Sequence, residues 1–314
     1  MANTTRKNYK KTGRTRRIIT VAVALALILA VLFGVLLQVR NHRREARQEA
    51  AEKALAEKIV TVTFPEGTTV LEVAEKLEAS GVCSAADFEA LCTKVPTGYD
   101  RLFEGVTPDG RVFVLEGYLF PDTYDFYKEE GAEKALDRFL KNMNSKVTDE
   151  DLAKAKEKGY TLDQVLTLAS VIQSEASDPK NMPMVASVFA NRLKEGSGFG
   201  YIGSDVTRHY IERKMKAYIE EKGLDYNTLF GNYCTNDAYQ YKKEGLPVGP
   251  ICNVGTSAIR AALNPAESSY YYFFTDNDWN YYYNETLSGH QSQWSKLVSE
   301  GKAGGTPAAT TAAQ

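Results

Sequence analysis

The feature that most constrains this chain is IITVAVALALILAVLFGVLL, residues 18–37, which carries no charged side chain. At about 1.5 Å of rise per residue, roughly 20 such residues cross the hydrocarbon core of a bilayer as a helix. Arg6, Lys7, Lys10, Lys11, Arg14, Arg16 and Arg17 precede the run without an intervening acid. That bias directs the N-terminus to the cytoplasm. Arg40, Arg43, Arg44 and Arg47 follow it but are interspersed with Glu45, Glu49 and Glu52, which leaves the asymmetry in place. A cleaved signal peptide is the competing reading. The run is longer than a typical signal core, and no A-x-A-like site closes it before Arg40. The expectation is a retained single-pass anchor with residues 38–314 outside the cytoplasm.

The 314 residues suffice for one large domain or two modest ones plus appendages. A net charge of -2 gives no basic field of the kind that binds nucleic acid. Cys83, Cys92, Cys234 and Cys252 contain no C-x-x-C pair, and His42, His209 and His290 are dispersed. Neither a metal site nor a cofactor is expected. An extracytoplasmic location permits disulfides, but the spacing does not choose between Cys83–Cys92, Cys234–Cys252 and buried thiols.

Residues 43–58, rich in Ala, Glu, Lys and Arg, read as a helical stalk. Residues 59–64 (IVTVTF) alternate as a strand does. Thr68 or Thr69 then caps a helix ending at Gly81, and residues 85–93 form another. Residues 112–127 (VFVLEGYLFPDTYDFY) read as strand-like, broken by Pro121. Helices are expected over 131–144, 149–158, 161–176, 182–194, 205–222 and 255–262, with a loop through Tyr241. Residues 270–275 and 280–284 form a hairpin around 276–278, and 301–314 read as a disordered tail. Strands flank a helical middle, so the fold class is α+β.

Within the 161–176 helix, Thr161 and Gln164 make a T-x-x-Q capping box. On a helical wheel Asp163, Thr167, Ser170 and Ser174 share a polar face. Glu175 falls elsewhere, beside Leu168 and Val171 on the shoulder of the apolar arc, with no Lys or Arg within four residues. Desolvation there raises a carboxyl pKa, and a carboxyl that stays protonated near neutral pH is what a general acid needs. The plainer alternative is a solvated Glu, or one paired with Arg192 on the next helix.

Several segments, in order, resemble the endolytic murein transglycosylase family of bacterial cell-wall synthesis. They are LEGYLFPDTY (115–124), LASVIQSEA (168–176), VASVFANRL (185–193), GSDVT (203–207), GLPVGPICNVG (245–255), AALNPAESSYYYFF and ETLSGH. The resemblance runs from about residue 59 to 297. The chain departs from it where Gln173 replaces the first acid of an E-x-E pair. It departs also at Val206 and Val254, which replace prolines, and at Tyr281, which replaces a customary His.

The resemblance implies a small LysM-like subdomain at 59–111 and a mixed catalytic domain with a helical middle at 112–298. Around them lie a basic cytoplasmic tail (1–17), a transmembrane helix (18–37), a juxtamembrane stalk (38–58) and the tail from 299 to 314. It implies cleavage of the β-1,4 bond between N-acetylmuramic acid and N-acetylglucosamine in nascent peptidoglycan, leaving 1,6-anhydro ends and so limiting glycan length. Glu175 is the implied catalytic residue, with Gln173, Asn191, Ser204, Asp205, Thr207, Tyr239 and Asn253 as substrate contacts. The partners implied are glycan strands, the membrane and the synthases that polymerise glycan. Two rivals stay open. One is a hydrolase pairing Glu175 with Asp178 or Asp205; the other is a non-catalytic, membrane-tethered glycan-binding protein.

Overall fold

A computed structural model of the chain describes residues 5–56, 58–176, 178–235 and 244–304. The described residues fall into two compact units that divide after Ile59. The first is dominated by helix α1 (Thr5–Ala56), which contains the uncharged run and the expected stalk as far as Ala56. Ile18, Leu25, Phe33 and Leu36 are exposed along it. A helix apolar all round needs a non-aqueous surrounding. Its stretch Ile18–Glu49 is long and apolar enough to cross a membrane, consistent with a single-pass anchor or a signal sequence.

The second unit is mostly helical with two small sheets. Strand β1 (Ile59–Thr63) leads into α2 (Val70–Ala79). Of the two threonines expected to cap α2, Thr69 does so, in a reciprocal box with Glu72. Helices α3 (Ala85–Cys92) and α4 (Asp100–Phe103) follow. Strand β2 (Thr123–Tyr127) returns beside β1, with Thr63 facing Thr123 and Thr61 facing Asp125, an antiparallel arrangement.

The strand expected from residue 112 begins only at Thr123. Residues 112–122 are turns, buried almost throughout. Their amides are taken by partners other than a neighbouring strand. Val114 and Leu115 both donate to the Cys92 carbonyl, at 2.9 and 3.1 Å. Gly117 and Leu119 both donate to Asn253 Oδ1 at 3.0 Å. Gly117 sits at φ +86°, and a Cβ there would lie 2.5 Å from Pro250. Only glycine fits that approach.

Glu116 lies in this segment, fully buried. Its carboxyl accepts the Val70 amide and the Tyr210 hydroxyl, each at 3.0 Å. Burial pushes its pKa up to about 8, against the lowering effect of those two donors.

Helices α5 (Ala132–Lys146), α6 (Asp149–Glu157), α7 (Leu162–Glu175) and α8 (Met182–Leu193) come next. Then α9 (Asp205–His209) passes through a π-helical stretch, Tyr210–Met215, into α10 (Lys216–Glu221). Helix α11 (Tyr226–Tyr233) stands where a loop is expected from the sequence. Helix α12 (Thr256–Leu263) packs on α7. Strands β3 (Tyr272–Thr275) and β4 (Tyr281–Asn284) form the expected hairpin, antiparallel, with Tyr272 opposite Asn284 and Thr275 opposite Tyr281. Helix α13 (Leu287–Ser299) packs against it.

Helix α7 is the centre of this unit. Its apolar arc is buried, as Val165, Leu166, Ala169 and Ile172 show, and so is most of its polar face. Asp163 accepts Arg111 through both oxygens and the Tyr118 hydroxyl at 2.8 Å. Ser170 donates to the Thr167 carbonyl and accepts the Ile251 amide at 3.0 Å. Each buried polar side chain on this face of α7 has a partner, which is the condition for burying it. No disulfide joins the four cysteines.

Candidate active site

Glu175 is the last residue of α7. Ala176 leaves helical geometry at φ -127°, ψ 100°, and Pro179 follows. The end is held by the Tyr281 hydroxyl, which donates to the Glu175 carbonyl at 2.8 Å. That carbonyl is one a helix C-terminus leaves without an internal partner. Tyr281, which departs from the family pattern, thus anchors the backbone of the candidate acid.

The Glu175 side chain opens on a cavity of about 490 Å³. Ser204 and Asp205 line it at the start of α9; Asp276, Trp279 and Trp294 line it from the β3–β4 turn and α13. Ser204 Oγ donates to Glu175 Oε1 at 2.5 Å. Burial raises the Glu175 pKa. Ser204 and the Arg192 charge oppose that rise, and the Asp205 charge adds to it. Burial prevails, so the acid keeps its proton to higher pH than an ordinary Glu.

Arg192 is fully buried yet makes no ion pair with Glu175. Its Nε donates to the Tyr271 carbonyl at 2.7 Å, and Nη1 to those of Ile202 and Gly203 at 2.7 and 3.0 Å. The guanidinium therefore staples the residue leading into β3 to the loop that delivers Ser204. Nη2 is buried with no hydrogen-bond partner among the described residues. Burial lowers the Arg192 pKa to about 10, so it stays cationic near neutral pH and acts on Glu175 through space.

The other candidates divide by position. Ser204 and Asp205 share the cavity with Glu175. Asp205 is half-buried and pairs with Arg208 at 3.5 Å. Thr207 is buried beneath them. It donates to the Ser204 carbonyl at 2.7 Å and meets the Thr235 hydroxyl at 3.1 Å, which in turn accepts the Ser204 amide. This network sets the backbone from which the Ser204 hydroxyl reaches Glu175. Gln173 accepts the Gly255 amide at 3.3 Å. Asn191 donates to the carbonyls of Ser268 and Tyr270, both at 2.9 Å. Asn253 is fully buried, bonding Gly117, Leu119 and the Thr68 carbonyl. Tyr239 lies outside the described residues. Asp178 bonds Lys180 near the surface, which holds its pKa down, and does not line the cavity.

The sequence reading missed Asp276, Trp279, Trp294 and Thr235. Asp276 is marked only as part of a hairpin turn, and nothing local distinguishes an indole at a cavity mouth from one in a loop. Among the described residues no group of three or more His, Cys, Asp or Glu is placed to hold a metal ion.

Residues 41–296 match the YceG-like family. The chain is 32% identical over 186 residues to an endolytic murein transglycosylase of Bacillus subtilis, covering 59% of this chain and 48% of that protein. It is 27% identical over 235 residues to one of Streptococcus pneumoniae, covering 69% and 41%. The chain thus spans less than half the length of these relatives. A crystal structure of a yceG-like protein from Listeria monocytogenes superposes with a TM-score of 0.59 at 28% identity, over 74% of this chain and 75% of that one.

Proposed function

The chain belongs to the YceG-like family, and from that premise we propose that it is a membrane-anchored endolytic murein transglycosylase with Glu175 as its proton-transfer residue. The observation that carries the reading is the setting of Glu175. Its carboxyl stands in a cavity wall with a raised pKa and, among the described residues, one hydroxyl donor and no ion pair. A protonated acid facing a cleft is equipped to protonate a leaving oxygen.

In this reaction Glu175 gives its proton to the glycosidic oxygen between N-acetylmuramic acid and N-acetylglucosamine. The C1–O bond breaks and positive charge develops at C1. The Glu175 carboxylate, stabilised by Ser204 and the Arg192 charge, takes the proton of the sugar's own 6-hydroxyl as that oxygen closes onto C1. A 1,6-anhydro end results, the acid is restored and no water is consumed. An intramolecular nucleophile makes a second carboxylate unnecessary. A hydrolase would need one to activate water or form a covalent intermediate. Asp276, in the same cavity, already accepts the amides of Asp278 and Asn280 and the Tyr282 hydroxyl, and Asp205 is engaged by Arg208. Neither supports the two-carboxylate alternative.

On this reading α1 crosses the membrane once, with the N-terminus inside and the cavity-bearing unit outside on nascent glycan. Digestion of purified glycan strands followed by mass spectrometry tests it. Anhydro ends support the transglycosylase, reducing ends identify a hydrolase, and unchanged strands identify a binder.

A further inference from the structure

Trp279 adopts φ +62° in the turn joining β3 to β4. That left-handed conformation is an outlier for a bulky side chain and far easier for Gly, Asn or Asp. The turn is not loose. The Trp279 amide donates to the Asp276 carbonyl at 3.1 Å, and the Asp276 amide to the Asn280 carbonyl at 3.1 Å. The Asp276 carboxylate accepts the amides of Asp278 and Asn280 at 3.0 and 2.9 Å and the Tyr282 hydroxyl at 2.9 Å. This clamp holds the indole out. Trp279 is 72% exposed, the most exposed large apolar residue described outside α1. It lines the cavity that Glu175 and Ser204 line. The other indole there, Trp294, is half-buried edge-to-face on Phe274 at 5.3 Å.

We propose that Trp279 is a sugar-stacking platform at the mouth of the Glu175 cavity, receiving the C–H face of a β-1,4-linked hexosamine next to the bond being cut. This rests on the glycan-cleaving reading of that cavity. A β-linked hexosamine with equatorial substituents turns its axial C–H bonds to one face. That face is apolar and matches an indole in size, and its C–H edges are slightly positive against the negative π surface. Strain held in place by surrounding bonds at a cleft points to use. In the aromatic run at residues 270–274, Tyr272, Phe273 and Phe274 are buried and offer no such surface. Trp279 would thus bind the strand beyond the scissile bond, and its contribution would appear in substrate capture rather than in proton transfer.

The chain has two tryptophans, so full-length Glu175→Gln, Trp294→Phe protein in detergent micelles reports on Trp279 alone. Purified uncross-linked glycan strands should shift its emission to the blue saturably. In the second arm, cleavage is measured for wild type, Trp279→Tyr and Trp279→Gly. The glycine variant also relieves the left-handed backbone, so loss of folding does not confound it. KM should rise roughly threefold to tenfold in Trp279→Gly with kcat within about twofold, and Trp279→Tyr should fall between. Unchanged emission with glycan, or an unchanged KM in Trp279→Gly while wild type cleaves, would overturn the proposal. So would an emission shift with phosphatidylglycerol vesicles but none with glycan, which would make the residue a membrane contact. If emission shifts with glycan but wild type cleaves nothing, the platform stands and the transglycosylase reading falls.

Discussion

Replacing Glu116 by Gln should stabilise the protein at alkaline pH and change it little in acid. Gln copies the shape of the protonated acid. Its amide oxygen can still accept the Val70 amide, and its amide nitrogen can donate to the Tyr210 hydroxyl, both groups that Glu116 already touches. The magnitude follows from the displacement of the Glu116 pKa from 4.5 to about 8. At about 1.4 kcal/mol per pH unit, that displacement is worth about 5 kcal/mol. The folded pKa lies above the unfolded one, so the folded state binds the proton more tightly. The resulting stability is fully present below pH 4.5 and is lost as pH rises through about 8. Other groups titrate alike in both proteins and cancel in the difference. Thermal melts of wild type and Glu116→Gln at pH 5 and pH 9 measure it. Between pH 5 and pH 9 only the part lost from pH 5 up to about 8 counts, roughly 4 kcal/mol. At roughly 2–4 °C per kcal/mol for a domain of this size, the variant should gain about 8–16 °C on wild type between those two conditions. A constant difference, or a wild type that gains with pH, would show that the two donors satisfy the ionised carboxylate and would refute the reasoning.

Asp205→Asn should retain measurable cleavage with anhydro products. Because the Asp205 charge raises the Glu175 pKa, the alkaline limb of the kcat/KM profile should move to lower pH; an upward move would contradict the electrostatics. Gly117→Ala places a Cβ 2.5 Å from Pro250 at φ +86°, so it should destabilise the protein by roughly 2–5 kcal/mol in urea melts. A neutral effect would mean the 112–122 segment shifts freely. Protease added to intact spheroplasts should digest the region after Gln38, whereas protection until lysis would reverse the proposed topology.

Local signals carried far into this fold. Thr161 and Gln164 marked the start of α7, and Glu175, with no Lys or Arg within four residues in sequence, takes as its hydrogen-bond donor among the described residues the hydroxyl of Ser204, 29 residues away. The hairpin at β3 and β4 followed from its two aromatic runs and the turn at 276–278 between them. Long-range partners were invisible. Residues 112–122 have strand composition, but the Asn253 amide captures two of their backbone donors. Asp163 and Ser170 read only as members of a polar face, and the sequence does not show that Arg111 and Ile251 are brought against them. Helices α11 and α13 were missed although Asp225 and Thr286 cap them, because their apolar residues are too few to set a clear period. Trp279 had no signal at all, since its meaning lies in a backbone angle and in a cavity shared with a helix a hundred residues earlier.

In the proposed reaction one carboxyl, Glu175, moves the proton both ways. Wild type and Glu175→Gln should be compared on purified glycan strands, with products read by mass spectrometry and melting followed in parallel. Wild type should leave 1,6-anhydro ends, and the variant should be slower by about 10²- to 10⁴-fold. The variant should stay folded, and its stability relative to wild type should improve as pH rises through the raised Glu175 pKa. Near-wild-type turnover from a folded Glu175→Gln, or reducing ends from wild type, would contradict this reaction.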